Sequence, residues 1–381
     1  MNERILVVDD TPANIQVLVG VLKEKGYQLS VATNGIQALE VLKQVRPDLI
    51  LLDVMMPELD GFETCRRIKK SDELRDIPII FLTAKTETSE IIQGFEVGAV
   101  DYVTKPFNPS ELLARVNTHL TLDQLRRSLA EKNVELARAY ARELEMAHRV
   151  QSQLIPLRTP QLPGWEFAAS WQPARELSGD YYDFLPIDNR LRLVIADVSG
   201  KGMYAALFMA NTRSVVRAKS ISSLNPADSL TQANALLCPD AAKGVYVTLF
   251  YTEIDPETRT LTYVNCGHNP PYWYKAGQRT IQELGSTNSV LGLNESMQCK
   301  QSQIVMDRGD VVLFYTDGIT EAFDENEEQF GEEQLKALLQ KHAQDSPEQL
   351  LNHILKSVEA FCGSAPQSDD RTIVVLKCAG K

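Results

Sequence analysis

Residues Leu193 to Asn211 read LVIADVSGKGMYAALFMAN. An apolar run ends in Asp197. A turn of small residues, Ser199-Gly200-Lys201-Gly202, follows, and a helical pattern then begins. A strand, a glycine turn and a helix in that order can cradle a phosphate, hold a metal ion or simply connect two elements. The rest of the chain decides between them.

The phosphate reading rests on Gly200-Lys201-Gly202 with Ala205, which gives G-x-G-x-x-A. No acidic residue closes a second strand some 20 positions on, because ISSLNPADSL reads as a turn and another helix. A Walker loop also fails, since no glycine stands five residues before Gly200 and no Ser or Thr follows Lys201. The metal reading has company. Asp180 lies in ELSGDYYDF, Asp317 ends the apolar run of VVLFYTDGITEA, and Asp369 and Asp370 precede the last strand pattern in QSDDRTIVVLK. These acids share one setting with Asp197, at strand ends or beside tight turns. All-carboxylate sites suit Mg2+ or Mn2+ rather than zinc. So many acids suit two bridged ions about 3.5–4 Å apart that activate a water against a phosphoryl group. Val198 is expected to lend a backbone carbonyl, and the turn glycines to allow close approach of backbone and water.

Composition bounds what else the chain can be. Its 381 residues are 44% hydrophobic and 24% charged, enough for two or three domains with proper cores. A formal net charge of -12 argues against non-specific nucleic-acid binding. No run reaches the roughly 18 apolar residues of a membrane span, and MNERILVVDD lacks a secretory h-region. A cytoplasmic protein with no nucleic-acid or membrane partner is expected. None of the six cysteines forms a C-x-x-C pair or has an arginine six positions on. A structural zinc site and a cysteine-dependent phosphatase loop are therefore not expected.

The first 120 residues alternate apolar runs with helical patterns. ILVV, LSVAT, LILLDVMM, IPIIFLTA and YVT each precede a helix, which implies a parallel sheet covered on both faces. Such sheets carry their sites at the carboxyl ends of strands. There stand Asp9 and Asp10, Asp53, Thr83 and Lys105. Three converging carboxylates call for a hard cation such as Mg2+, and Lys105 and Thr83 suit a phosphoryl group.

This segment resembles a response-regulator receiver domain over about residues 3–122, through VVDD, LLDVMMPELDG, FLTAK and DYVTKPF. The resemblance implies a flavodoxin-like doubly wound sheet with Asp53 as phosphoacceptor. Mg2+ would be bound by Asp10, Asp53 and the Met55 carbonyl, with Asp9 assisting through water. Thr83 and Tyr102 match the switch positions, Lys105 the phosphate-binding lysine, and Lys105–Pro106 would be cis. A sensor histidine kinase or phosphotransfer protein would be the partner.

From Leu122 to Ile155 there is no Gly or Pro, and Pro156 and Pro160 follow. Leu122, Leu125, Leu129, Leu136, Tyr140, Leu144, Ala147 and Leu154 keep to one helical stripe. A two-stranded coiled coil joining two copies of the chain is expected, imperfect at Lys132 and Gln153.

The remainder resembles the protein phosphatase 2C (PPM) superfamily, in its SpoIIE/RsbU-like branch, over about residues 150–378. HRVQSQLIP, LSGDYYDF, ADVSGKGMYAALFMA, VTLFY, VNCGHNPP, FYTDGITEA, FGEEQL and DDRTIVV carry the match. It implies an α-β-β-α sandwich, two Mn2+ or Mg2+ ions, and hydrolysis of phosphoserine or phosphothreonine. Asp180, Asp197, Asp317 and Asp369 match the metal-binding acids, with Val198 as carbonyl ligand. Asp370 stands where the superfamily often has Asn, which leaves open which of the pair binds. Ser199 replaces a histidine proposed elsewhere as general acid, so water would protonate the leaving serine. The role of Lys201 is open, and His268 is expected to hold its turn.

The expected architecture is a receiver at 1–121, a helical linker at 122–156 and a phosphatase domain at 157–381, an α/β protein throughout. Phosphorylation of Asp53 would control the phosphatase, whose substrate would be a phosphorylated anti-sigma-factor antagonist of STAS fold. The competing readings are a phospho-gated binding protein without turnover and a dinucleotide-dependent enzyme. Repelling carboxylates have no use in the first, and the second lacks its ribose-binding acid.

Overall fold

A computed structural model describes residues 3–84, 88–223 and 225–380, without the side chains of 88–90. Lys85 of the FLTAK motif lies outside the described residues. The chain divides into two compact units, Met1–Arg138 and Ala139–Lys381.

The first unit alternates β1 (Arg4–Val8), α1 (Pro12–Lys23), β2 (Gln28–Ala32), α2 (Gly35–Gln44), β3 (Leu49–Asp53), α3 (Gly61–Lys70), β4 (Ile79–Thr83), α4 (Thr88–Glu96) and β5 (Asp101–Thr104). The sheet order is β2-β1-β3-β4-β5, every pair parallel. Successive side chains of a strand point to opposite faces. Ile5, Val7, Leu49 and Leu51 therefore enter one core, while Leu6, Val8, Ile50 and Leu52 enter the other. Burial on both faces is why these strands read as unbroken apolar runs. The chain reverses direction across the sheet between β1 and β3, and the crevice at that point is where α/β sheets bind ligands. Asp9, Asp10 and Asp53 sit there.

Helix α5 runs from Pro109 to Ser152, 44 residues. The expected helical linker continues the receiver's last helix without interruption. The break between units falls inside it. Asn108 opens the helix, its Oδ1 accepting from the N–H groups of Ser110 (2.9 Å) and Glu111 (3.3 Å). The helix stops four residues before Pro156. Gln153 and Leu154 tighten into a turn by donating to Val150 and Gln151 carbonyls three residues back. Leu122, Leu125, Leu129, Leu136 and Tyr140 are 55–69% exposed, whereas Leu144 and Ala147 are half-buried.

The second unit has two five-stranded antiparallel sheets. One joins β7 (Tyr181–Ile187), β8 (Arg190–Val198), β9 (Val247–Asp255), β10 (Thr260–Cys266) and β13 (Ser302–Val305), in the order β13-β10-β9-β8-β7. The other joins β6 (Trp165–Gln172), β11 (Tyr272–Lys275), β12 (Thr280–Glu283), β14 (Val311–Tyr315) and β15 (Arg371–Cys378), in the order β12-β11-β14-β15-β6. Val312, Phe314, Val374 and Leu376 face the first sheet, where the Phe314 and Phe250 rings meet at 5.5 Å. Val311, Leu313, Ile373 and Val375 face away, under α9 (Gly331–His342) and α10 (Pro347–Cys362). Helices α6 (Met203–Ser222) and α7 (Pro226–Asp240) cover the outer face of the first sheet. The result is the α-β-β-α sandwich. One more short helix, α8 (Asp317–Thr320), follows β14.

Candidate functional site

In the first unit the strand ends bring Asp9, Asp10 and Asp53 together, with one oxygen of each within 4.8 Å of the others. Asp9 and Asp53 are buried and Asp10 is exposed. The Lys105 ammonium lies 2.7 Å from Asp9 Oδ2 and 2.7 Å from Asp53 Oδ2. Burial works to lower the Lys105 pKa, but its bonds to Asp53 and Asp9 carry it above the ordinary value. Asp53 is pushed up by burial and by the charge of Asp9, against the pull of Lys105. Met55 donates its backbone N–H to Asp53 Oδ1 at 3.4 Å, and Asn14 holds Asp9 at 3.0 Å. The Lys105–Pro106 peptide is cis. Thr83 and Tyr102 line one apolar cleft with Val54, Phe81 and Phe95. An anionic triad with two buried members, one exposed member and one lysine fits a hard divalent cation with room for a phosphoryl group.

In the second unit, Asp180, Asp197, Asp317 and Asp369 come from four separate chain segments and feel one another. Asp197 is pushed up to about 7 by burial, then by the charges of Asp317, Asp369 and Asp370. Asp180 is held well above the ordinary carboxylate range by burial and by Asp197 and Asp370. Asp317 is raised by burial and by Asp369. Among the described residues, no three ligand atoms of this group lie within 4.8 Å of one another. The ring is wider than the receiver's triad, which suits divalent ions that keep much of their water. Repelling, half-buried oxygens without a compensating ion are what such a pair of cations would satisfy, so the donor set fits.

Asp370 differs from the others. Its Oδ1 accepts from the Ala174 N–H (2.8 Å), and its Oδ2 from the Ser178 hydroxyl (2.7 Å) and the Gly179 N–H (2.9 Å). Both oxygens are spent on fixing the segment before Asp180. Asp369 has no such role: it meets the Lys201 ammonium at 2.8 Å and the Asp370 N–H at 2.9 Å. Asp183, three residues on in β7, pairs instead with Arg217 at 2.9 Å.

At the turn after Asp197 the glycines stand in open space. A Cβ at Gly200 or Gly202 would meet nothing within 4 Å. These glycines serve conformation, with φ of +96° and +83°. Close approach belongs to two other glycines. A Cβ on Gly179 would stand 2.9 Å from the Val198 carbonyl oxygen, and one on Gly318 2.0 Å from the Asp370 carbonyl oxygen. Ser199 is occupied, its Oγ accepting from the Tyr246 N–H at 2.9 Å. Lys201 also donates to the Ser368 carbonyl at 2.8 Å. His268 is buried, with Nδ1 2.9 Å from Thr248 Oγ1, and its backbone N–H donates to Asn265 Oδ1 at 2.8 Å. Burial pushes it down to about 3, which keeps the ring neutral as a turn support.

Several supporting residues escape a reading of the sequence. Thr316 and Thr372 donate to Asp180 Oδ2, both at 2.7 Å. Their only signal is adjacency to Asp317 and to the Asp369–Asp370 pair. Gln151, near the end of α5, donates to the Ser178 carbonyl (2.8 Å) and accepts from the Ser178 N–H (3.0 Å). His148 Nδ1 lies 2.7 Å from the Glu176 carbonyl. The helix end is thereby stitched to the segment that carries Asp180.

The sequence model of the response regulator receiver domain matches residues 5–117. That of Stage II sporulation protein E (SpoIIE) matches residues 187–379, half of the chain. The chain belongs to the SpoIIE family. Its SpoIIE region is preceded by a receiver domain. Phosphoserine phosphatase RsbU of Bacillus subtilis is 29% identical over 236 residues, 62% of this chain and 70% of RsbU. The DNA-binding response regulator MtrA of Mycolicibacterium smegmatis is 46% identical over 120 residues, 32% of this chain; the chain spans about half (51%) of that relative. The SiaA-PP2C domain of Pseudomonas aeruginosa superposes with a TM-score of 0.57 at 19% identity, over 64% of this chain and 98% of that domain. The RsbU and RsbW domains of a Mycobacterium tuberculosis protein reach 0.53 at 24% identity, over 59% of this chain and 63% of theirs. These two likenesses establish the PP2C-type fold. No described helix is long and apolar enough to cross a membrane.

Proposed function

We propose that this SpoIIE-family protein is a divalent-metal-dependent protein serine/threonine phosphatase controlled by phosphorylation of its receiver at Asp53. The observation that carries the reading is the ring of Asp180, Asp197, Asp317 and Asp369, in which burial, and then the charges of Asp317, Asp369 and Asp370, raise Asp197 to about 7. Such a ring costs stability unless cations fill it, which a binding-only domain has no reason to bear. Two Mn2+ or Mg2+ ions held there would supply a nucleophilic water and neutralise phosphoryl charge during in-line displacement. Asp197, Asp317 and Asp369 act as ligands, with the Val198 carbonyl beside them. Asp180 is aimed by Thr316 and Thr372. Asp370 acts as a positioning residue for the Ser178–Asp180 segment, so Asp369 is the ligand of the pair. Lys201 stands in as a cation at Asp369 and can turn to a phosphoryl oxygen when ions arrive.

Control runs from the other unit. In the receiver, Mg2+ would sit on Asp10, Asp53 and the Met55 carbonyl, with Asp9 behind. Phosphorylation adds close to two charges beside Lys105. Thr83 moves to bond the phosphoryl group and Tyr102 fills the cleft beside it. We take residues 1–121 as the receiver, 122–156 as the relay and 157–381 as the phosphatase. The relay is α5, whose Gln151 grips Ser178 and through it both Asp370 and Asp180. The exposed stripe from Leu122 to Tyr140 supports a second copy of the chain as its cover, in a two-stranded coil. A histidine kinase or phosphotransfer protein supplies the phosphoryl group. The substrate we infer is a phosphoserine or phosphothreonine on an anti-sigma-factor antagonist, in line with the RsbU likeness, in the cytoplasm.

The test is phosphate release from a phosphoserine STAS-type protein. We expect release with Mn2+ and none with chelator, and loss of release in Asp317→Asn. Binding of that substrate without release in any divalent cation would overturn the reading in favour of a binding module.

A further inference from the structure

A second cluster of metal-ligating side chains lies away from the acid ring, on the outer helices of the second unit. His342 ends α9, Asp345 lies in the turn that follows, and His353 stands in the second turn of α10. His342 Nδ1 is 2.8 Å from Asp345 Oδ2, and His353 Nε2 is 3.8 Å from the same oxygen. The two imidazoles stack at 4.0 Å. We propose that His342, Asp345 and His353 form a site for a borderline transition-metal ion, Zn2+, Ni2+ or Cu2+, that clips α9 to α10.

The chemistry selects the ion class. Two imidazoles and one carboxylate favour these metals over Mg2+ and Mn2+, which prefer all-oxygen shells. A tetrahedral ion with bonds of about 2.0–2.2 Å spaces its ligand atoms by roughly 3.3–3.5 Å. The two observed separations bracket that spacing. His353 is half exposed and free to rotate its ring out of the stack and onto the ion. The turn itself is held ready. Lys377 of β15 donates to the carbonyls of Ala343 (3.2 Å), Gln344 (2.9 Å) and Asp345 (2.7 Å). Ser346 and Gln349 close a capping box at the start of α10. With three protein ligands and an exposed fourth side, the site would hold an exchangeable ion and not a permanent one.

The chain has five histidines. The other three have separate partners: His119 with Asp101, His148 with Glu176 and His268 with Thr248. Imidazole coordination of an added ion therefore reports on this cluster, because neither acid site contains a histidine. The experiment is a Cu2+ titration of the full chain followed by electron paramagnetic resonance, with Zn2+ thermal shifts alongside. We expect one equivalent with hyperfine coupling to two nitrogens. His353→Gln should weaken that equivalent at least tenfold and reduce the Zn2+ shift, while Mn2+-dependent phosphate release stays unchanged. Asp345→Asn, which keeps both rings, should also weaken it. Absence of two-nitrogen coupling in the parent chain, or its persistence unchanged in His353→Gln, would overturn the proposal.

Discussion

Asp197→Asn is expected to abolish phosphate release and, in metal-free protein, to raise thermal stability. The two effects share one cause. The Asp197 carboxyl is pushed from an ordinary 3.8 to about 7, first by burial and then by Asp317, Asp369 and Asp370. A raised carboxyl pKa means that the folded state keeps a proton the unfolded chain has already lost. Stability of the metal-free protein therefore falls as pH rises from about 4 to about 7. Asp180 and Asp317 shift in the same direction. Asparagine has no charge to repel, so the variant should lose most of that slope. Bound ions should flatten it in the parent chain, because they favour the ionised acids. Losing one anionic ligand from a metal-assisted phosphoryl transfer costs several kcal/mol of transition-state stabilisation, about 10^3-fold or more in rate. Thermal unfolding between pH 5 and 8, with and without Mn2+, reads the first effect, and phosphate release reads the second. A variant that is active, or less stable than the parent when metal-free, would refute this account of the ring.

Gly318→Ala is expected to cost more than any other single methyl in the second unit. Its Cβ would lie 2.0 Å from the Asp370 carbonyl oxygen, 2.9 Å from its carbonyl carbon and 3.2 Å from that of Asp369. These are backbone atoms just ahead of β15, with no rotamer to yield. The Asp369–Asp370 segment must shift. That pulls Asp369 from the ring and Asp370 from Ala174, Ser178 and Gly179. Overpacking of this kind costs about 1–3 kcal/mol, and more where backbone is displaced. We expect a lower Tm, weaker Mn2+ binding and at least a hundredfold loss of activity. Gly200→Ala makes the control. Space there is open and only the left-handed φ resists, so about 1–2 kcal/mol is expected. Equal tolerance of the two substitutions would show that close packing of Gly318 on the aspartate pair does not matter.

Fold was legible wherever burial wrote a simple pattern. VVLFY and TIVVL are unbroken apolar runs because alternate residues enter two cores, and the same holds for ILVV and LILL. The positions of the acids relative to those runs could be read too. What each carboxylate oxygen does could not. Asp369 and Asp370 are neighbours of one residue type, and only tertiary partners nearly 200 residues away separate them. The glycines show the same limit. Gly200 and Gly202 take a positive φ in open space, which a turn in the sequence suggests, while Gly179 and Gly318 are required by atoms from distant segments that no local pattern reveals. Gln151 looks like any polar residue of a charged helix, and its grip on Ser178 exists only after the sandwich has formed. The end of α5 carries no local signal either, since the chain tightens at Gln153, ahead of Pro156.

If the receiver governs the phosphatase, occupying Asp53 must change the rate of phosphate release. The rate of Mn2+-dependent phosphate release is taken with and without beryllofluoride, which mimics the phosphoryl group on Asp53, in the parent chain and in Asp53→Asn. A coupling of about 1.4 kcal/mol is enough for a tenfold change. We predict a change of that order in the parent chain and none in Asp53→Asn. Equal rates in all four conditions, with the mimic shown to be bound at Asp53, would contradict the account.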